Sequence, residues 1–266
     1  KIYLENKMRT NITKEKLSSG EVVFGAVVSD FSPATVEIFG AIGYDFVMID
    51  CEHGSMNVDQ VENMVRAAEV FNITPIARIP NHSDSTILRF LDRGVQGIIV
   101  PHVNDRDQAE SIARAARYYP SGNRGLAGGR AHDYGVSMGK YESSEWLNNN
   151  ILVIPMVEEV EGVENLNEIA SVKGVDIIHV APSDLGQSMG NAPQDEVREL
   201  MDEVVPKIRA SGKWAGVGGN SPGDESRVSD LINLGANFVT ISAQSLMLNA
   251  AKDFRQLVEA SIRTTD

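Results

Sequence analysis

Short, uninterrupted apolar runs recur along this chain, separated by amphipathic stretches. FVMID (46–50), GIIVP (97–101), ILVIPMV (151–157) and DIIHV (176–180) are the clearest. A strand apolar at nearly every position must be covered on both faces, as parallel strands flanked by helices are. The strand candidates are Val22–Val28, Asp45–Cys51, Thr74–Ile79, Gln96–Val100, Ile151–Val157, Val175–Val180, Lys213–Val217 and Asn237–Ile241. Helical periodicity marks Asn57–Phe71, Ser83–Arg93, Asp105–Tyr118, Gln194–Ser211 and Ser221–Leu234. Gly43, Gly94 and Gly235 each follow a helical stretch and precede a strand, as a left-handed C-cap leading into a short αβ loop would. Eight strands with eight following helices predict an α/β fold of the (β/α)8 TIM-barrel type, ahead of an open doubly wound sheet. The 266 residues suit one such domain, spanning 1–266, with the first 19 residues forming an extra helix that closes the bottom of the barrel.

Composition narrows the partners. The formal net charge is −13 with no basic cluster to offset it, so nucleic acid would be repelled. No run of 18 or more apolar residues appears and the polar start does not resemble a signal, so no membrane span is expected. The single cysteine, Cys51, fits a reducing compartment, and the expected location is cytoplasmic.

In a barrel of this kind the chemistry lies just after the strands. Five strand ends carry ionisable groups there: Asp50-Cys51-Glu52-His53, Arg78, His102, Glu158-Glu159 and Ser183-Asp184. Each has an unremarkable reading alone. Asp184 sits where a helix N-cap would, and His53 could be a satisfied, partly buried histidine. His82, His102, His132 and Cys51 are expected to be structural or supporting. As a set they make chemical sense. Glu158 and Asp184 offer hard oxygen ligands from adjacent strands, suited to Mg2+ or Mn2+ with positions left open. Arg78 can stabilise an enolate oxygen or clamp a carboxylate. Asp50 and His53 form a possible proton-moving pair. The backbone amides of Ser183 and Asp184, opening a helix, can receive a substrate anion. The long connection from Tyr119 to Asn150 contains PSGNRGLAGGRAHDYG, which matches neither a P-loop nor a dinucleotide fingerprint, and connections this long are usually functional. No lysine follows a predicted strand, which argues against a Schiff-base mechanism.

VMIDCEHGSMN resembles the second-strand signature of the HpcH/HpaI aldolases, metal-dependent pyruvate aldolases of the phosphoenolpyruvate/pyruvate barrel superfamily. ARIPNHSD, FLDRGVQGIIVPHVN, YYPSGNRG, VIPMVEE and GVDIIHVAPSDLGQSMG continue the likeness over roughly residues 20 to 250. The resemblance implies reversible cleavage of a 4-hydroxy-2-oxo acid to pyruvate, or a close analogue, and an aldehyde. It places the metal ligands at Glu158 and Asp184, with Mg2+, Mn2+ or Co2+ as the cation. It puts the 2-oxo contact at Arg78 and the acid/base dyad at His53 with Asp50. Glu52 falls on a carboxylate that holds water on the metal. Asp92 falls on an aspartate that reaches a neighbouring subunit's site, and relatives assemble as hexamers with the C-terminal helix packed on a partner. One departure is Met156, where better-known members carry Gln. The alternatives are a 2-oxo acid decarboxylase or a malyl- or citryl-CoA-type lyase on the same barrel, or a non-catalytic metabolite-binding barrel.

Overall fold

The computed structural model describes residues 8–263. Its eight strands are β1 (Val23–Val28), β2 (Phe46–Asp50), β3 (Thr74–Arg78), β4 (Gly97–Val100), β5 (Leu152–Val157), β6 (Ile177–Val180), β7 (Trp214–Asn220) and β8 (Ala236–Ser242). All are parallel, each pairs with its sequence neighbours, and β8 pairs with β1, closing the barrel in the order β1 to β8. The expected (β/α)8 architecture is therefore present, and strand limits differ from the sequence reading by a few residues at most. Gly43, Gly94 and Gly235 have φ of 89°, 94° and 116°, the left-handed geometry a β-carbon opposes.

Two apolar layers hold the fold together. The barrel interior is filled by inward side chains such as Phe46, Met48, Ile76, Ile154, Met156 and Phe238, with the Phe46 and Phe238 rings stacked 4.1 Å apart. The second layer lies between the strands' outer faces and the helices α2 (Pro33–Ala41), α3 (Val58–Val70), α4 (Asp84–Asp92), α5 (Arg106–Ala116) and α10 (Gln194–Ala210).

The base of the barrel is sealed by α1 (Ile12–Ser18), which puts Leu17 into the interior layer. Asn11 donates from Nδ2 to the carbonyls of Gln96 and Asn150, and Lys14 Nζ donates to Ile151 O. The extra helix is thus confirmed over its described part; residues 1–7 lie outside the described residues. The long connection also folds at the base. It holds a 3₁₀ turn at Arg130–Gly135 and α6 (Lys140–Asn150). Arg124 is pinned to Asp92 and Arg130 to Glu69, so the Gly/Arg-rich segment packs beside α4 and away from the C-terminal ends of the strands.

The last helix, α12 (Ala243–Arg263), behaves differently from the rest. It touches β1 and β8 near its start, yet every residue from Met247 to Val258 is exposed. Met247, Leu248, Phe254 and Leu257 are among them. Correspondingly, Phe24 on β1 is 43% exposed, unusual for a barrel strand whose outer face a helix should cover.

Candidate active site

The ionisable groups picked out after the strands converge on one rim. Asp50, the last residue of β2, is buried and accepts two hydrogen bonds from Arg78 at the end of β3: Nε to Oδ1 at 2.9 Å and Nη2 to Oδ2 at 2.7 Å. Asp50 Oδ1 also accepts from the backbone N–H groups of Glu52 and His53, at 3.2 and 3.3 Å. Burial alone would raise the Asp50 carboxyl, but Arg78 and these amides override it and hold it below its ordinary value.

Glu158 is 2% exposed at the end of β5. Its Oε1 accepts the backbone N–H of His102 at 2.9 Å. Burial pushes its carboxyl above the ordinary value; the His102 amide opposes this, while the nearby charges of Asp184 and Glu52 add to it. His102 has φ 55°, a conformation uncommon for a non-glycine residue. Its ring bridges the carboxylates: Nδ1 is 2.8 Å from Glu159 Oε1, and Nε2 is 3.7 Å from Glu52 Oε1. Burial works against protonation here, and those carboxylates outweigh it, so the imidazole titrates above its ordinary value.

Glu52 has a second, telling environment. Its Oε2 lies 3.2 Å from Arg78 Nη1 but not in hydrogen-bond alignment, and this buried oxygen has no hydrogen-bond partner. An unsatisfied buried carboxylate oxygen, beside two further carboxylates, suits a cation supplied from outside the chain. Among the described residues no set of three or more His, Cys, Asp or Glu is spaced as a complete metal cage. By the chemistry of their donors, the carboxylates of Glu158 and Asp184 would suit a hard cation that takes few protein oxygens and keeps other positions for water and ligand.

Other sequence-derived candidates occupy less central positions. The backbone of His53 is tied to Asp50, but its ring is 65% exposed and its nearest carboxylate contact is Glu52, Nε2 to Oε2 at 3.9 Å. The structure thus pairs Asp50 with Arg78, because a bidentate guanidinium satisfies both carboxylate oxygens at once. Asp184 lies within the first turn of α9 (Pro182–Ser188), where Ala181 is the N-cap, so it is not itself a cap. Ser183 is exposed in the same turn. Asp92 ends α4 at the base of the barrel, bonded to Arg124 at 2.8 Å. His132 is structural: it is buried between Tyr118 Oη and Ser143 Oγ. Burial, then the charge of Asp50, pushes the Cys51 thiol up to about 12, which excludes it as a nucleophile at neutral pH.

Sequence reasoning undervalued His102 and did not single out Glu159 or His179. A histidine two residues beyond β4 and a lone polar residue inside DIIHV were the available signals. The charged rim groups described above come from the ends of β2 to β6; Ser29, just after β1, adds a hydroxyl that donates to Asp50 Oδ2, and β7 and β8 end in the uncharged Asn220 and Ser242.

The model of the HpcH/HpaI aldolase/citrate lyase family matches residues 24–250, the whole barrel from β1 into α12. The chain belongs to this family. Members of known activity are similar along their full length. A 2-keto-3-deoxy-L-rhamnonate aldolase of Shigella sonnei is 32% identical over 254 residues, covering 94% of this chain and 93% of that one. Among solved structures, a family protein from Burkholderia cenocepacia superposes with a TM-score of 0.86 at 27% identity, covering 94% of this chain and 100% of that one. The citrate synthase SbnG superposes at 0.78 with 34% identity, covering 95% and 96%. Membership makes the chain a carbon–carbon lyase of the aldolase type.

Proposed function

We propose that this HpcH/HpaI aldolase reversibly cleaves a 4-hydroxy-2-oxo acid into pyruvate, or a close 2-oxo acid, and an aldehyde. The observation that carries this reading is the site's polarity. A half-buried, doubly hydrogen-bonded arginine stands beside three carboxylates, one of which has a buried oxygen without a hydrogen-bond partner. A divalent cation held by Glu158 and Asp184 would act as a Lewis acid on the 2-oxo group, and class II relatives depend on such a cation. Mg2+ and Mn2+ fit the oxygen donors best, with Co2+ a third candidate.

The chain's own residues supply the rest. Breaking the C3–C4 bond sends an electron pair towards the 2-oxo oxygen, and Arg78 is preorganised to receive that charge. The 4-hydroxyl must lose its proton, and the open ring of His53 is the candidate acceptor, with Asp50 anchoring its backbone and Glu52 beside its ring. Glu52 would also orient water next to the cation. The first-turn amides of Ser183 and Asp184 offer donors to the substrate carboxylate. The test is a panel of aldehydes with pyruvate and hydroxypyruvate, each run with Mg2+, Mn2+ and Co2+. Aldol product with at least one pair supports the reading, and none with any pair refutes it.

The exposed Met247, Leu248, Phe254 and Leu257 of α12 and the exposed Phe24 favour an assembly in which α12 covers a neighbouring barrel, with a homohexamer as the proposed form and Asp92 contributed to a neighbour's site. Light scattering on the native protein and on Phe254→Asp separates the outcomes. A native hexamer that dissociates on substitution is expected, and a native monomer with full activity would overturn the proposal.

A further inference from the structure

His179 takes no part in the proposed mechanism, and its surroundings are unusual. It lies on β6 beneath the rim, 2% exposed, and neither Nδ1 nor Nε2 has a hydrogen-bond partner. Its Cα is in register with that of Met156 on β5, two residues before Glu158. The chain makes room for the ring with glycines on β7. A β-carbon at Gly218 would lie 2.6 Å from His179 Cε1, and one at Gly216 would lie 2.9 Å from Cδ2. The edge of Phe238 completes the packing, with centroids 6.1 Å apart at 85°.

Two orphan nitrogens on one buried ring are costly, because each loses water without gaining a partner. An apolar side chain of similar size would avoid that loss. Burial, followed by the charge of Arg78, lowers the imidazole's titration to about 3, so the ring is neutral at working pH and presents one N–H donor and one acceptor. The neighbouring interior position, Met156, has no hydrogen-bonding group worth the name. Polar support from below Arg78 and Glu158 is then left to His179 on β6 and to the buried Thr240 hydroxyl on β8.

We infer that His179 is a positioning residue of the site: it hydrogen-bonds upward to the water or 2-oxo acid that fills the floor beneath Arg78 and Glu158. The inference rests on the 2-oxo acid reading above. It assigns donor-substrate affinity to a residue that touches none of the rim carboxylates, and it explains why a stability cost persists in the middle of the barrel.

The experiment compares native protein with His179→Leu, which removes both nitrogens at similar volume, and His179→Asn, which keeps a donor and an acceptor. Pyruvate binding to the Mn2+-loaded proteins is followed by calorimetry, and heat denaturation is recorded alongside. His179→Leu should melt at or above the native temperature while binding pyruvate roughly tenfold more weakly, the loss of about one hydrogen bond. His179→Asn should recover part of the affinity. Unchanged pyruvate affinity in His179→Leu would overturn the inference and leave the function standing. Native protein that binds no 2-oxo acid with Mn2+ would overturn both. Should His179→Leu fail to fold, affinity in His179→Asn equal to that of a folded His179→Phe decides against the inference, and higher affinity in His179→Asn decides for it.

Discussion

The Arg78 guanidinium grips the Asp50 carboxylate with two parallel hydrogen bonds, and both side chains are almost entirely withdrawn from water, 11% and 2% exposed. This pair holds Arg78 rigid at the rim and lets it point a further nitrogen towards Glu52. Under the proposed mechanism it also couples catalysis to stability, since neither partner can be removed without stranding the other's charge.

Arg78→Ala should therefore do two things together. Turnover should fall by about 10²–10³, the usual cost of losing one preorganised donor to a developing oxyanion. Stability should drop by about 3–5 kcal/mol, because Asp50 is left as an uncompensated buried charge. Steady-state kinetics and urea unfolding measure the two effects. A variant with near-native kcat would show that Arg78 serves the fold alone.

Glu158→Gln keeps the shape of the side chain and its acceptance of the His102 amide but removes the charge. Mn2+ affinity, read by calorimetry, should weaken by at least tenfold, and activity should fall with it. Chelator treatment of the native protein should abolish activity, and adding back Mg2+ or Mn2+ should restore it. Activity that survives complete chelation would remove the cation from the mechanism.

The eight strands were legible because both-face burial writes itself as uninterrupted apolar runs, and so was the rim, because strand ends in a barrel are few. Asp50 with His53 was harder. Residues three apart at a strand end look like partners in one dimension, and only the fold brings Arg78 within 2.7 Å to take the carboxylate first. His179 was invisible for a related reason: a single polar letter in an apolar run does not say whether it faces the interior or the helices. The Gly/Arg-rich connection read as a functional loop, yet its arginines find Asp92 and Glu69 at the base. Nothing in local spacing encodes those partners.

Acid stability should carry the signature of His179. Its native imidazole titrates at about 3 against an ordinary 6.5. Below pH 6.5 the unfolded chain binds a proton that the barrel refuses until about pH 3, so this group's contribution is complete above pH 6.5 and falls as pH drops. The loss can approach 1.4 kcal/mol per pH unit. Urea unfolding from pH 7 to 4 should show a shallower decline for His179→Leu than for native protein. Parallel curves would mean that the native ring is protonated or solvated.

Borohydride reduction with pyruvate should leave the enzyme active and unmodified. Of the described lysines, Lys14 and Lys213 are the ones whose amines burial pushes below the ordinary value, and both sit at the wrong end of the barrel. Lys14 Nζ donates to Ile151 O, and Lys213 Nζ donates to the carbonyls of Val172 and Val175. Neither can reach a carbonyl at the rim. A pyruvyl-sized mass on any lysine would replace the cation-based mechanism with a covalent one.

Charged groups follow β2 to β6, whereas β7 and β8 close on the uncharged Asn220 and Ser242, so charge is gathered on one arc of the barrel mouth. Under the proposed function, substitutions on the uncharged arc can alter which aldehyde is accepted while the charged groups across the mouth stay in place.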